Sequence, residues 1–180
     1  HLAKWYPNKE EPLLGIFIQK HILSVQKHYD NKVISLYQTN TIHSNIHRVV
    51  NHVNNTEEVI FYYKKGFLNK IKVLWSVWKE IKSFQPHLLH AHVMGWTSSM
   101  AYFFSRTNRT PFLITEHWSG YRNNSFTELN LVSKILRKKS AQKAKQVCVV
   151  SDFLKNDMLK CGIKANYMTL GNVVDGKTLA

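Results

Sequence analysis

The chain has 180 residues, of which 44% are hydrophobic, so it is long enough to form one globular domain with a buried core. Lys and Arg number 25 against 11 Asp and Glu, and the net charge of +14 favours an anionic partner, although such charge can also simply maintain solubility. No apolar run reaches the ~20 residues that a membrane-spanning helix needs. Two cysteines are too few for a disulfide framework and lie in no metal-binding spacing, which favours reduced thiols and a cytoplasmic protein.

Short apolar segments alternate with longer segments of helical periodicity along the chain. Gly15 precedes a segment that predicts a helix over 16–29. Several of the short segments are apolar at almost every position, as strands covered on both faces are. The predicted strands are 33–37, 59–63, 88–91, 112–115, 147–150 and 167–170.

Three further helices are predicted from apolar spacing and from capping residues. The first ends before Pro86, and its predicted buried face consists of Leu68, Ile71, Leu74, Trp75, Trp78 and Ile81. A capping box at 125–128 predicts the start of the second, with Leu129, Val132, Ile135 and Leu136 on its buried face. Ser151 is the predicted N-cap of the third helix, and Gly162 fits its C-terminal end.

Strands that alternate with helices predict a parallel sheet with right-handed crossovers, that is, a Rossmann-like doubly wound α/β domain. In such folds ligands bind outside the carboxyl ends of the strands. The segment LITEHWSGY, residues 113–121, delivers an acid, an imidazole, an indole and a phenol directly after a predicted strand. We therefore expect the functional site at this strand end.

Gly15 is a candidate anion-binding residue at the start of the first helix. A helix N-terminus presents unpaired N–H groups and a partial positive charge, and glycine lets a phosphate approach the backbone. A turn or capping glycine is the alternative. Neither G-x-G-x-x-G nor a P-loop occurs, so a nicotinamide-dependent enzyme and a P-loop kinase both lack their main signature.

The histidines are the next candidates. His117 follows its strand among polar and aromatic residues, where an imidazole can bond a sugar hydroxyl or transfer a proton near neutral pH. A structural histidine bonded to a backbone carbonyl is the alternative. His90 and His92 share one face of a strand, but no third ligand is evident at useful spacing, which favours a structural role over a zinc site.

Carboxylates at predicted strand ends are scarce. Glu116 and Asp152 are the only acids in such positions within the central sheet, and neither an Asp-x-Asp motif nor a paired-carboxylate motif occurs. A glycoside hydrolase with two catalytic carboxylates is therefore disfavoured. A serine hydrolase is disfavoured as well, because no nucleophile-elbow sequence is present.

Five segments in order carry a family resemblance. They are WYPNKEEPLLGIF, a first loop whose Gly opens a helix; QPHLLHAHVMG, like a P-D-x-x-H-x-H strand; FLITEHWSG, like a T-x-H strand end; QVCVVSDFLKNDMLKCGI, a strand ending in Ser before a helix; and LGNVVDG, like a P-N-G-V-D element. Together they resemble the N-terminal, acceptor-side domain of the family-4 retaining glycosyltransferases, which have the GT-B fold. His87, Gly171 and Val173 depart from the usual Asp, Pro and Gly.

The resemblance implies that residues 1–180 form this acceptor-side domain, with the first strand truncated before His1 and the donor-binding C-terminal domain lying outside the chain. Gly15 would bind the donor diphosphate and His117 would be the catalytic contact to the transferred sugar or acceptor. The implied cleft-lining or acceptor residues are His92, Glu116, Ser151 and Asn172. Transfer would retain the anomeric configuration, with the leaving phosphate helping to take the acceptor proton. It would use a nucleotide sugar as co-substrate, no metal and no other cofactor, and the isolated domain would be inactive.

Basic residues on two predicted helices imply an anionic membrane surface as a partner. They are Lys64, Lys65, Lys70 and Lys72 near one helix, and Lys134, Arg137, Lys138, Lys139, Lys143 and Lys145 along another. Relatives often use glycan or lipid-linked acceptors in polysaccharide biosynthesis, which implies a peripheral location on the inner face of the membrane. A solvated helix face is the alternative.

Two other functions fit the sequence. One is a non-catalytic sugar-binding or regulatory domain of the same fold. The other is a basic nucleic-acid-binding module, which is disfavoured because the spacing of Trp75 and Trp78 predicts that both point into a core rather than onto an exposed surface.

Overall fold

The structure, a computed structural model, describes residues 1–173. Its strands are β1 (Leu2–Ala3), β2 (Asn31–Gln38), β3 (Ile46–Val53), β4 (Thr56–Tyr63), β5 (Leu89–His92), β6 (Phe112–Glu116), β7 (Gln146–Val149) and β8 (Tyr167–Thr169). Its helices are α1 (Ile16–Val25), α2 (Phe67–Phe84), α3 (Trp96–Asn108), α4 (Ser125–Glu128), α5 (Leu131–Lys143) and α6 (Asp152–Lys160), with a 3-10 turn at Ser119–Tyr121. The end of the LGNVVDG segment lies outside the described residues.

The strands form one sheet in the order β3-β4-β2-β1-β5-β6-β7-β8. Every neighbouring pair is parallel except β3 and β4, which form an antiparallel hairpin at one edge. The predicted Rossmann-like doubly wound α/β fold is therefore confirmed. The edge strand β3 was not predicted, because an exposed edge strand carries polar residues and lacks a continuous apolar run.

Helices cover both faces of the sheet. Successive strand residues point to opposite faces, and Leu2 belongs to one apolar cluster while Ala3 belongs to the other. The cluster around Ala3 includes Ile18 and Ile22 of α1. The larger cluster around Leu2 includes buried residues of α2, α3, α5 and α6.

The chain reverses its direction of travel across the sheet at β1, which lies between β2 and β5. Such a point opens a crevice at the carboxyl ends of the two strands, where ligands of doubly wound sheets bind. Lys4 follows β1 and its backbone N–H donates to the carbonyl of His92 at 3.2 Å. The ends of β1, β5 and β6 therefore lie side by side at this crevice.

Helix α3 was also missed by the sequence prediction. It begins with Trp96-Thr-Ser-Ser, and its Thr97 and Ser98 side chains are buried although they are polar. The Thr97 hydroxyl donates to the carbonyl of Val93 at 2.5 Å, so its polar atom is satisfied inside the protein. Small polar residues on a buried face interrupt the apolar periodicity by which such a helix is recognised.

The predicted buried face of α2 was wrong in part. Val73, Val77 and Ile81 are buried, whereas Trp75 is 59% exposed and Ile71 is 50% exposed. Residues 73, 77 and 81 recur at i, i+4 and i+8, so they satisfy helical spacing as well as the predicted set did. Because α2 carries apolar residues on two faces, its sequence alone does not determine which face is buried, and tertiary packing decides.

The start and buried face of α5 also differ from the prediction. Residues 125–128 form the separate one-turn helix α4 rather than a capping box, and the side chain of Asn130 caps α5 by accepting from the Ser133 N–H at 2.9 Å. Of the predicted buried face, Val132 is 67% exposed and Ile135 is 41% exposed, while Arg137, Ser140 and Ala141 are buried. Arg137 is thus an interior residue and does not belong to a solvated basic face.

The position of the two apolar faces of α2 can be tested by mutation. Val77→Ala should lower the free energy of unfolding by about 2 kcal/mol, because it leaves a cavity in the core. Trp75→Ala should change it by no more than about 0.5 kcal/mol, because the indole is largely exposed. Denaturant titration of both variants measures the difference. A larger decrease in the free energy of unfolding for Trp75→Ala than for Val77→Ala would show that the face predicted from the sequence is the buried one.

Candidate functional site

His117 lies at the carboxyl edge of the sheet, immediately after β6, and faces α1. Its ring centroid is 4.6 Å from that of Phe17 and 5.8 Å from that of His21, both on α1. Because α1 begins after Gly15, the structure brings Gly15 and His117 into the same region through the first turn of this helix. These are the two residues that the sequence placed at the centre of the site.

Both ring nitrogens of His117 are buried, and neither has a hydrogen-bond partner among the described residues. Burial, and then the neighbouring His21, lower the pKa of His117 to about 4. Asn172 acts in the opposite direction and raises the pKa values of His117 and His21, although its geometry with His117 does not amount to a hydrogen bond. The ring is therefore neutral at pH 7 and can offer both a donor and an acceptor to a ligand.

Glu116 does not line the cleft as predicted, because its side chain is 0% exposed. One carboxylate oxygen accepts from the backbone N–H groups of His117 and Trp118, both at 2.9 Å. The other accepts from the Met94 N–H at 3.0 Å and from the Tyr121 hydroxyl at 2.8 Å. Glu116 therefore positions the loop that carries His117 and joins this loop to the end of β5.

Gly15 is required by its own backbone geometry. Its φ angle is +66°, and a Cβ atom at this position would lie 2.4 Å from the carbonyl oxygen of Trp5. Gly15 has no side chain to cap α1. The Ile16 N–H donates to the Leu13 carbonyl at 3.4 Å and the Ile18 N–H to the Gly15 carbonyl at 2.8 Å, so among the described residues only the N–H groups of Gly15 and Phe17 are left without a partner in this turn. A turn glycine and an anion-binding glycine are compatible at this position.

His92 was predicted to line the cleft, but it is buried inside a group of three imidazoles. Its Nε2 lies 3.1 Å from Nδ1 of His1, and its ring is stacked on that of His90 at 4.1 Å. One ring nitrogen from each residue falls within 4.8 Å of the other two. The sequence showed no third partner for His90 and His92, because His1 lies far away in the chain, immediately before β1. The group is tied to Asn31 at 3.3 Å and to Thr115 at 2.7 Å, so it also fits a structural hydrogen-bond network.

Ser151 and Asn172 lie at the same edge of the sheet as the candidate site. Ser151 caps α6 as predicted, since its hydroxyl accepts from the Leu154 N–H at 3.2 Å. Asn172 is exposed in the segment after β8, and the next residue, Val173, donates its backbone N–H to Nε2 of His21 at 3.2 Å. Asn172 thus lies beside the imidazoles of the site, whereas the Ser151 side chain is used to cap a helix.

Two basic residues at the site were not identified from the sequence. The Arg137 guanidinium lies 4.9 Å from the Trp118 ring centroid, and Lys4 Nζ lies 5.6 Å from the centroid of the same ring. Their positions far apart in the chain gave no local signal, and Arg137 was hidden among the lysines of a basic segment. The tryptophan between them follows His117 directly, so both cations are part of the same edge.

A cavity of about 820 Å³ lies elsewhere, at the amino ends of β2 and β5. Its lining includes Tyr29, Asn31, Gln85 and His90. Doubly wound sheets bind their ligands at the opposite, carboxyl edge. We therefore place the candidate site at His117 and not in this cavity.

The buried state of His117 predicts a dependence of stability on pH. Its pKa is about 4 in the folded protein against about 6.5 in an unfolded chain, so the unfolded state binds a proton first as the pH falls. Its contribution to stability is therefore present above pH 6.5 and is lost towards pH 4. The free energy of unfolding of the wild type should fall between pH 7 and pH 5. In His117→Gln this fall should be smaller by about 1–2 kcal/mol.

Denaturant titration at the two pH values measures this difference, and His87→Gln, at an exposed histidine, is the control. An unchanged pH slope in His117→Gln would show that His117 is not buried in its neutral form.

Comparisons with known proteins identify the family and the fold of the chain. The sequence profile of Glycosyltransferase Family 4 matches residues 27–176. The fold is similar to sucrose-phosphate synthase from Thermosynechococcus elongatus, with a TM-score of 0.68 and 11% identity over 90% of this chain and 43% of that one. It is also similar to E. coli trehalose-6-phosphate synthase solved with UDP-2-fluoro glucose, with a TM-score of 0.66 and 9% identity over 99% of this chain and 50% of that one.

A shorter segment of the T. elongatus protein matches over 99% of this chain and 91% of its own length, with a TM-score of 0.67 and 10% identity. No curated protein sequence gave a significant match. This chain thus spans about half the length of the full-length structures that it resembles, or somewhat less. Since the profile covers most of its length and its fold is the one shared by these enzymes, the chain belongs to Glycosyltransferase Family 4 and forms one Rossmann-like half of the GT-B architecture.

Proposed function

We propose that the full-length protein transfers a sugar from a nucleotide-sugar donor to a glycan or lipid-linked acceptor, with retention of configuration. In this proposal the described domain supplies the acceptor side of the cleft, and a second domain completes the donor site. The observation that carries it is the His117 imidazole, neutral and partly buried at the carboxyl edge, with two ring nitrogens that lack a partner within residues 1–173. Membership of a glycosyltransferase family supports the same reaction class.

A neutral imidazole suits the recognition of a sugar. One ring nitrogen donates to a hydroxyl oxygen and the other accepts from a hydroxyl, so His117 can hold a hydroxyl group of the transferred sugar or the acceptor. A ligand here would satisfy ring nitrogens whose burial otherwise carries a desolvation cost. Phe17 packs against the ring and restricts its orientation. The residue would therefore contribute mainly by positioning the reacting groups.

The donor diphosphate would approach the N-terminus of α1. An anion is favoured there by the absence of a side chain at Gly15 and by the N–H groups of Gly15 and Phe17, which have no partner among the described residues. Phe17, in the first turn of the same helix, contacts His117, so a diphosphate at this end would bring the donor sugar towards the imidazole. Backbone N–H groups aimed at the leaving phosphate would stabilise its developing charge.

Retention through a front-face route fits the carboxylates of this edge. Glu116 is adjacent to His117 but is buried and accepts from four donors, so it is committed to the loop and does not serve as a nucleophile. The leaving phosphate would then take the acceptor proton. We propose that this step needs no metal, since the sequence carries no Asp-x-Asp motif that would hold a metal-bound diphosphate.

The role of His117 can be tested in the full-length protein with a panel of nucleotide sugars, in buffers without divalent cations. His117→Ala should lower kcat/KM for transfer by about 10²-fold or more, because it removes the positioned imidazole. His87→Ala, at an exposed histidine, is the matched control and should leave kcat/KM unchanged.

Circular dichroism verifies folding of both variants. Wild-type kcat/KM in a folded His117→Ala protein would remove the proposed role of His117. Sugar binding without turnover in the wild type would instead indicate a non-catalytic sugar-binding domain.

We further propose that α2 rests on an anionic membrane surface, where a lipid-linked acceptor would be presented. Phe67, Leu68, Ile71 and Trp75 form one apolar stripe along this helix, and all four are at least half exposed. Exposed lysines flank the stripe at positions 70, 72 and 79, and Lys79 Nζ lies 5.9 Å from the Trp75 ring centroid. An apolar stripe with Trp, bordered by cations, matches the interface of an anionic bilayer. No helix of residues 1–173 is long and apolar enough to cross a membrane.

Binding to liposomes tests this surface. The full-length protein should bind liposomes that contain phosphatidylglycerol at low salt, and high salt should release it. Phe67→Ser with Trp75→Ser should weaken binding, and Lys70→Gln should weaken it by about 5-fold, since a lysine near an anionic surface contributes about 1 kcal/mol. Phe153→Ser, at an exposed aromatic residue on α6, is the control and should bind normally.

Equal binding to neutral liposomes, or no binding at low salt, would contradict the membrane surface. Binding of single-stranded RNA through the same residues, without binding to liposomes, would favour a nucleic-acid partner.

A further inference from the structure

Basic groups converge where β1 and β5 end, at the point where the sheet reverses its strand order. Lys4 follows β1, and Gly95 follows β5 and precedes α3. Arg137 Nη2 and Lys4 Cδ each lie 3.7 Å from the position that a Cβ atom of Gly95 would occupy. Two cationic side chains from distant parts of the chain thus meet at the start of one helix.

Arg137 has an unusual environment for a charged residue. It is only 6% exposed. Among residues 1–173, its buried Nε and Nη1 atoms have no hydrogen-bond partner, and no carboxylate forms an ion pair with it within 4.0 Å. The Trp118 ring centroid lies 4.9 Å from the guanidinium carbon, and Arg137 also lies close enough to Tyr121 to oppose the rise in the pKa of that hydroxyl caused by burial. A buried guanidinium without a paired anion is energetically costly, so the binding of an anionic group beside Arg137 would be favourable.

The surrounding charges leave a positive excess. Burial, and then the positive charge of Arg137, lower the pKa of Lys4, so the two cations are held together against their repulsion. Among the described residues, Glu116 is the acid that opposes this effect, and its oxygens already accept from four donors. One carboxylate therefore faces two cations at this end of the sheet.

The N-terminus of α3 adds donors at the same place. This helix has 13 residues, and its N-cap, Gly95, provides no side chain to cap the first turn. The N–H groups of the first turn have no partner within the helix and carry a partial positive charge. Because Gly95 has no side chain, the space between Lys4 and Arg137 stays open beside them.

We propose that Lys4, Arg137 and the N-terminus of α3 form an oxyanion site that binds a phosphate or carboxylate group of a substrate. The planar guanidinium provides the fork that binds such groups in a bidentate manner. Trp118 supports the guanidinium and follows His117 directly, so a bound oxyanion would belong to a molecule that also reaches His117. The assignment of that molecule as the donor or the acceptor rests on the proposed function. The binding of an oxyanion at this site does not depend on the proposed function.

Inorganic phosphate is the probe for the site, with the full-length protein in chloride buffers of matched ionic strength. Calorimetry should show phosphate binding to the wild type, and phosphate should raise its Tm. Arg137→Gln and Lys4→Gln should each weaken phosphate binding at least 10-fold and lose the Tm increase. Lys139→Gln is the matched control, because Lys139 is an exposed cation on the same helix as Arg137.

A second signature separates this site from a purely structural arginine. Without phosphate, the Tm of Arg137→Gln should equal or exceed that of the wild type, because the substitution removes an unpaired buried charge. A marked loss of Tm without phosphate, together with unchanged phosphate binding by Lys4→Gln, would overturn the proposal. So would the absence of phosphate binding by the wild type, or equal affinity in all four proteins.

Competition distinguishes the two sources of the anion. Displacement of phosphate by a nucleoside diphosphate, and not by a sugar monophosphate or a sugar carboxylate, would assign the site to the donor. The reverse result would assign it to an anionic acceptor. These measurements need no turnover, so a failure of glycosyl transfer and a failure of oxyanion binding are seen separately.

Discussion

The organisation of the candidate site depends on one buried carboxylate. Glu116 lies at the last position of β6 and accepts from the backbone of its own loop, from the backbone after β5 and from the Tyr121 hydroxyl. Charge-assisted bonds of this kind are strong, and a buried anion without them would be very unfavourable. The loop after β6 therefore has little conformational freedom, and the orientations of His117 and Trp118 follow from it.

Much of the fold was predictable from the sequence because parallel strands buried on both faces carry continuous apolar runs. All six predicted strands occur, with boundaries shifted by a few residues. Helix α3 was missed because the polar residues Thr97 and Ser98 lie on its buried face and interrupt the apolar periodicity. Strand β3 was missed because this polar edge strand has no continuous apolar run. The buried face of α2 could not be chosen because apolar residues occupy more than one side of the helix. These misses concern packing that local periodicity does not encode.

The site was predictable only in part. His117 and Gly15 could be selected because each stands next to a strand end or a helix start, and the structure brings them together through Phe17. Glu116 was placed in the cleft because the sequence does not show that backbone N–H groups would enclose it. The contacts of Arg137, Lys4 and His1 join segments that are far apart in the chain. No spacing rule within one segment can reveal such contacts.

The segment after β8 has a consequence for the protonation of the candidate site. The Val173 N–H bonds to His21, and Asn172 lies beside His21 and His117. A proton on Nε2 of His21 would remove the lone pair that this backbone group uses, and a displacement of the segment would free the same lone pair. The protonation of His21 and the position of the segment are thus thermodynamically linked. This segment borders the imidazoles of the site, so a shift in its position and a change in the pKa of His21 accompany each other.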